Sequence, residues 1–266
     1  MKADLHIHST ASDGSEAIEQ IIDSAKKKGL DAIAITDHDS VSHIAKIPLS
    51  AGITIIGGIE ISAIHLSTDT KAHILGYSIK RTELLKTLTR TITIARNRNS
   101  EKQIGILRRH GFSIDEERIA RSDEKCIFKQ HILDWLVSTW QVPDLFGEFY
   151  QRTFKNGGIC DFDINYPDVF EAVRMIKKAG GLAVLAHPGQ QQNFWLIPEL
   201  VESGLDGLEV NHHSHSEKDK AKIREYAVRF GLFLTGGSDY HGRYEPRSIG
   251  IGGILSEESG VEAICQ

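Results

Sequence analysis

Lys2-Ala3-Asp4-Leu5-His6-Ile7-His8, followed downstream by Asp31-Ala32-Ile33-Ala34-Ile35-Thr36 running into Asp37-His38-Asp39, is the part of the chain that decides the fold. The first segment alternates as a strand does, so Asp4, His6 and His8 are expected on one face and Leu5 and Ile7 on the other. Between the two runs, Ile18, Ile21, Ile22 and Ala25 recur at helical spacing. Ser15 stands where it can cap that helix, and Gly29 where it can end it.

The strand–helix rhythm continues. Strands are expected at Ile53–Ile56, around His73–Ile79, and at Leu182–Ala186, Leu205–Val210 and Leu232–Thr235. One intervening helix buries Val169, Ala172, Val173 and Ile176, and another is capped by Ser216 with Asp219 three residues on. Seven strands alternating with helices predict an α/β protein whose parallel sheet closes into a distorted TIM-like barrel of (β/α)7 type; an open doubly wound sheet is the alternative. From 81 to 165 the rhythm gives way to helix formers and basic residues. The expected organisation is therefore a discontinuous barrel of residues 1–80 and 166–266, with a mostly helical insertion, 81–165, covering the active site.

Composition narrows the class. Apolar residues at 40% and charged residues at 25% fit a globular protein. No apolar run reaches the roughly 18 residues of a membrane-crossing helix. Met1 leads straight into polar residues, so a cytoplasmic protein is expected. Cys126, Cys160 and Cys265 are too scattered for a disulfide framework or a cysteine metal site. The net charge of −5 argues against a protein that coats nucleic acid. That average hides a basic stretch, Arg81–Phe112, with eight Lys and Arg against only Glu83 and Glu101.

Metal-ligand residue types recur at or beyond the expected C-terminal strand ends. His6, His8 and Asp13 go with the first strand, Asp37-His38-Asp39 with the second, Glu60 with the third, and His73 lies in the fourth. His187 follows the fifth, Glu209 and Asn211 the sixth, and Asp239 and His241 the seventh. In a parallel barrel these ends share one face, where barrel enzymes carry their chemistry. Imidazoles and carboxylates suit Zn, Mn and Fe, and a carboxylate such as Glu60 can bridge two ions. Several carboxylates packed together without a cation would be costly.

The motifs Asp4-Leu5-His6-Ile7-His8-Ser9, Thr36-Asp37-His38-Asp39, Gly58-Ile59-Glu60, His73-Ile74-Leu75-Gly76-Tyr77, Ala186-His187-Pro188 and Ser238-Asp239-Tyr240-His241-Gly242 occur in that order. With them the whole chain resembles the PHP (polymerase and histidinol phosphatase) phosphoesterases. It is most similar to the stand-alone members acting on nucleotides and short oligonucleotides. The resemblance implies one ion on His6, His8, Glu60 and Asp239, a second on Glu60, His73 and His187, and a third on Asp13, His38 and His241. Two or three divalent ions are thus expected, Mn, Fe or Zn, with Mg also admissible. Glu60, Asp239 and His241 are the expected catalytic residues. A hydroxide bridging two ions would attack phosphorus in line with the leaving oxygen.

The insertion is expected to choose the substrate. Nucleotide-acting members carry an Arg-x-His-like segment there, and this chain reads Lys129-Gln130-His131. Lysine contacts phosphate as a point charge, without arginine's bidentate fork. Lys129, His131, Arg96 and His213 are the expected substrate contacts. Arg96, Arg98 and Lys102 form either a phosphate track or, for each taken alone, a solvated basic face.

Blander readings apply elsewhere. His43, His65 and His110 lack motif context and read as structural. Asn211-His212-His213-Ser214-His215 reads as a loop with substrate or ligand-orienting roles more than as direct ligands. Asp4 and Asp37 are expected to orient histidines, Asp39 to do so or to cap a helix, and Glu209 to orient a ligand or substrate. Of the tryptophans, Trp195 is better placed than Trp135 or Trp140 to lie near the site. The expected function is hydrolysis of nucleotide phosphate monoesters (5′-mono- or 3′,5′-bisphosphates) or of the 5′ ends of short oligonucleotides. The partner is a small phosphorylated molecule, with no membrane and no long duplex nucleic acid involved. A histidinol-phosphate phosphatase and a catalytically silent metal-binding module are the alternatives. Amidohydrolase chemistry fits less well, since no strand offers a lysine suited to bridging metals.

Overall fold

The computed structural model describes residues 1–48, 51–123, 125–245 and 249–265. Seven strands form one sheet in chain order: β1 (Ala3–Ile7), β2 (Ala32–Ile35), β3 (Thr54–His65), β4 (Thr70–Tyr77), β5 (Leu182–Leu185), β6 (Gly207–Asn211) and β7 (Phe233–Gly236). The two edges meet beyond β7. Ile7 bridges in parallel to Tyr240, and the His8 N–H donates to the Tyr240 carbonyl at 2.8 Å. The sheet therefore curls into a nearly closed barrel, as the alternation of elements predicted.

One strand departs from the all-parallel expectation. β4 runs antiparallel to both β3 and β5, with His65 paired to Thr70 across a tight hairpin. β3 does not stop at Ile56 but continues to His65. Only residues 66–69 then separate the strands, far too few for a parallel crossover, which needs a dozen or more. The reversal matters for the site. His73 lies in the first half of β4, opposite Ser62, and a strand running backwards presents its start at the face where its neighbours end.

Side chains alternate between two apolar layers. Ala32, Ala34, Ile56, Leu75, Tyr77, Val184 and Ala186 pack with Val261 and Ile264 in one. Outside, Ile33 and Ile35 meet the helical residues Ile21, Ile22 and Ala25, while Ile59, Ile61, Ile74 and Leu185 meet Val173 and Ile176. The expected pairing of Leu5 with Ile7 on one face does not hold. The β1–β2 register shifts between Asp4 and Ile7, and Leu5 joins the first layer while Ile7 joins the second.

Helix α1 (Ile18–Lys27) starts later than the Ser15 cap implied. Gln20 accepts from the Ala17 N–H at 2.9 Å, and Ser15 Oγ instead accepts from the Arg243 N–H at 2.8 Å. Helices α2 (Lys86–Arg109), α3 (Lys129–Ser138) and α4 (Glu148–Thr153) enclose an apolar group of their own, including Ile104, Leu107, Ile132, Leu136 and Phe154. Ion pairs tie this segment to the barrel: Arg96 to Asp39, Asp123 to Lys46, Asp163 to Lys71 and Asp134 to Arg243. The barrel resumes with α5 (Val169–Lys178), α6 (Pro188–Gln191), α7 (Ile197–Glu202), α8 (Glu217–Phe230) and α9 (Glu258–Ile264). Ser216 and Asp219 cap α8 reciprocally, as expected. Among the described residues no helix is long and apolar enough to cross a membrane.

Candidate metal centre

Glu60, fully buried in β3, sits at the middle of the strand-end face. Its Oε1 lies 2.9 Å from His73 Nδ1 and 3.0 Å from His187 Nε2. Its Oε2 lies 3.2 Å from both His6 Nε2 and His8 Nε2, and 3.3 Å from His38 Nδ1. Asp239 Oδ1 approaches the same His6 and His8 nitrogens at 3.3 and 3.2 Å. Asp13 Oδ1 is 3.4 Å from His241 Nε2. Thus all nine residues that the sequence marked as ligands come together in one cluster. Three overlapping groups place ligand-type atoms within 4.8 Å of one another: His6, His8, Glu60 and Asp239; His8, Asp13, His38 and His241; and His38, Glu60 and His73. His38 joins Glu60 and His73 in the last of these groups, while His187, which the resemblance placed with Glu60 and His73, lies 3.0 Å from the same Glu60 oxygen as His73.

Several of these contacts are not hydrogen bonds. His8 Nδ1 and Nε2, His38 Nδ1 and His187 Nδ1 are buried without a hydrogen-bond partner, although carboxylate oxygens lie 3.2–3.3 Å from His8 Nε2 and His38 Nδ1. Buried polar atoms are rarely left this way. Nitrogens and oxygens that close, yet misaligned with one another, are what atoms aimed at a shared cation look like. A nitrogen–oxygen donor set without sulfur fits Zn, Mn or Fe.

Electrostatics agree. Burial alone would raise Glu60, but His38 and His6 hold it well below the usual carboxylate range; for Asp239 burial is likewise overcome, chiefly by His6. Burial pushes His8 down, yet Asp239 and Glu60 raise it to about 10. For His38 burial wins over Glu60 and Asp13, taking it to about 3. Carboxylates kept ionised among rings in such unequal states favour positive charge in their midst.

The supporting partners are more specific than the sequence indicated. Glu209 lies 3.0 Å from His6 Nδ1 and accepts from the His187 N–H at 2.8 Å, so one carboxylate aims two ligand-type histidines. Asp4 does not orient a histidine ring. It accepts from the Ser238 N–H and hydroxyl at 2.9 and 2.6 Å and from the Gly252 N–H at 2.8 Å, steadying the loop that carries Asp239. Asp37 likewise accepts from Ser9 and Ser12 in the loop carrying Asp13, and its histidine neighbour is His43. His187 and Asp239 adopt left-handed backbone conformations, φ 27° and 53°, a local cost of the kind met at functional sites. Gly237 is obligatory for another reason: a Cβ there would lie 2.4 Å from His6 Cβ.

The expected substrate contacts divide. Lys129 lines a cleft of about 190 Å³ together with Asp13, His38, His73, Tyr150 and Tyr166. Burial, then the nearby Lys155, lowers its ammonium to about 8. Arg96 lines the same cleft, its guanidinium 2.5 Å from Asp39, 3.2 Å from Ser62 Oγ and 4.9 Å from the Phe128 ring, so it does not lie on a solvated face. Arg98 and Lys102 are exposed. His131 turns inward, its Nδ1 accepting from the Phe128 N–H at the start of α3. Its neighbour Gln130, which no sequence signal singled out, reaches the site instead and donates to Asp13 Oδ2 at 2.8 Å. His213 lines a second cleft with Gln190, Asp239, His241 and Tyr244. Trp195 packs edge-on against His65, which is not one of the nine clustered residues.

Fold and site together define a metal-dependent hydrolase of the barrel class. The PHP domain model matches residues 4–183, and the chain belongs to the PHP domain family. It is 41% identical to a phosphoribosyl 1,2-cyclic phosphate 1,2-diphosphodiesterase of Eggerthella lenta, over 92% of this chain and 95% of that one. It is 31% identical to a 3′,5′-nucleoside bisphosphate phosphatase of Chromobacterium violaceum, over 90% and 86% of the two chains. Among solved structures, a Bifidobacterium adolescentis protein described as a metal-dependent phosphoesterase superposes with a TM-score of 0.89 at 27% identity, covering 98% of this chain and 94% of that one.

Proposed function

We propose that this chain hydrolyses a phosphate ester on a small ribose- or nucleotide-type molecule that carries a second phosphate, with divalent ions held by His6, His8, Asp13, His38, Glu60, His73, His187, Asp239 and His241. The observation that carries the reading is Glu60, whose two oxygens serve two different sets of imidazoles and so suit a carboxylate shared between ions. Ions there would neutralise phosphate charge and lower the pKa of the attacking water. The protein's own groups do the rest. Lys129 offers its ammonium to a phosphate in the cleft, Gln130 holds Asp13 in place, and Glu209 fixes the ring of His6.

The second phosphate is supported by the two relatives above, since the substrates in both their names join a ribose to two phosphate groups. The small cleft supports a compact substrate over a long nucleic acid. The test is 31P NMR on protein supplied with Mn2+ and offered 5-phosphoribosyl 1,2-cyclic phosphate, adenosine 3′,5′-bisphosphate, 5′-AMP, histidinol phosphate and a 5′-phosphorylated short RNA. At least one ribose bearing two phosphates should exceed 5′-AMP in kcat/KM by about tenfold or more, the contribution of one charge-assisted phosphate contact. No cleavage of any of them with Mn, Zn, Fe or Mg present would overturn the proposal.

A further inference from the structure

His212 stands outside the nine residues proposed as ligands, yet its ring is buried beside them, 5.0 Å from the His187 ring and 6.2 Å from that of His6. On distance alone His212, His213 and Asp239 mark a further cation site, with ligand-type atoms within 4.8 Å of one another. Hydrogen bonding decides otherwise for His212. The Ser214 N–H donates to its Nδ1 at 3.2 Å, and the Ser214 hydroxyl lies 2.7 Å from the same nitrogen. A ring nitrogen accepting from a backbone N–H carries no proton, so the N–H of this ring is on Nε2. That nitrogen is 3.3 Å from Asp239 Oδ2 and donates to it. Neither nitrogen then has a lone pair to give a cation.

Asp239 needs such a partner. Its backbone is left-handed, and of its two oxygens Oδ1 turns to His6 and His8 while Oδ2 turns to His212. The loop bearing His212 is itself braced. The His215 N–H donates to the His212 carbonyl at 3.1 Å, His215 Nδ1–H donates to the Val210 carbonyl at 2.8 Å, and its Nε2 accepts from the Gly189 N–H at 3.1 Å. We infer that His212 is a positioning residue: its Nε2–H pins Asp239 Oδ2 so that Oδ1 alone faces the His6–His8–Glu60 group. This rests on the reading of Asp239 as a ligand. Partners of this kind, one step removed from the ion, set the aim and basicity of the ligand they touch.

The test compares His212→Leu, His212→Gln and Asp239→Ala in the full chain, reading Mn2+ affinity by chelator competition, ions per chain at saturation, and kcat separately from KM. Glutamine can set an amide N–H near the place of Nε2. His212→Leu should bind Mn2+ about 10–100-fold more weakly and lose kcat similarly with KM within about threefold, and His212→Gln should recover both to within about fivefold, with ion stoichiometry unchanged. Should the leucine variant not fold, His212→Asn, whose shorter amide cannot reach Oδ2, serves as the loss variant. Parent-like Mn2+ affinity in the loss variant overturns the inference. So does a glutamine variant as weak as the loss variant, or one that holds an ion fewer, which would make His212 a ligand. If Asp239→Ala binds Mn2+ as the parent does, it is the ligand reading beneath that fails.

Discussion

Arg96 donates to Asp39 across 2.5 Å, joining helix α2 to the loop after β2 at the edge of the His, Asp and Glu cluster. Asp39 also accepts from the Ser62 N–H at 2.8 Å, so one buried carboxylate ties helix α2, the loop and the β3–β4 hairpin together.

Removing Arg96 leaves that carboxylate buried without its cation. Arg96→Leu should lower the unfolding free energy by about 3 kcal/mol, the usual cost of breaking a buried pair from one side. Arg98→Leu on the exposed face should change it by less than about 0.5 kcal/mol. Urea denaturation of both variants checks this; equal effects would place Arg96 on a solvated face after all.

Glu60→Gln keeps the size of the side chain but removes the charge that five imidazoles face. Bound metal measured by elemental analysis should fall, and kcat should drop by more than about 100-fold, beyond the 10–100-fold typical of partners one step removed from the ion. Full metal content with normal turnover would remove Glu60 from the centre.

Chelation should destabilise the fold, because ions that bind only the folded chain stabilise it by mass action. Metal at about 100 times its Kd contributes about 2.7 kcal/mol, or roughly 5 °C or more in Tm for a chain of this size. A thermal melt with and without a chelator measures it, and the Glu60→Gln variant should show little of the shift.

Lys129 sets a pH limit on substrate binding. Its ammonium, lowered to about 8 by burial and then by Lys155, is charged below that pH and neutral above it. KM for a phosphate-bearing substrate should therefore stay flat below pH 8 and rise above it by up to about tenfold per unit. Lys129→Arg, charged throughout, should flatten the rise. A KM that is independent of pH in the parent protein would take Lys129 out of the phosphate contact.

The residues that gather on the strand-end face were readable from the chain because all but Asp13 stand in a short motif beside a strand, and residue type with local spacing records side-chain chemistry directly. The alternation of strands and helices likewise announced a barrel. Even the reversal of β4 left a trace, since the residues between Ile64 and Thr70 cannot hold a crossover, but the alternation running past Gly57-Gly58 has to be followed to see it.

Other features depend on which distant residues meet. That Arg96 finds Asp39 and not solvent, that Gln130 rather than His131 reaches Asp13, and that His212 spends its nitrogens on Ser214 and Asp239 are all decided by packing between segments far apart in the chain. Sequence by itself determined the barrel class and the residues that gather on its strand-end face, since periodicity and side-chain chemistry are local properties. Tertiary structure alone decided the direction of β4 and the partner of each buried polar group, because a hydrogen bond or ion pair exists only once the fold brings both of its ends together.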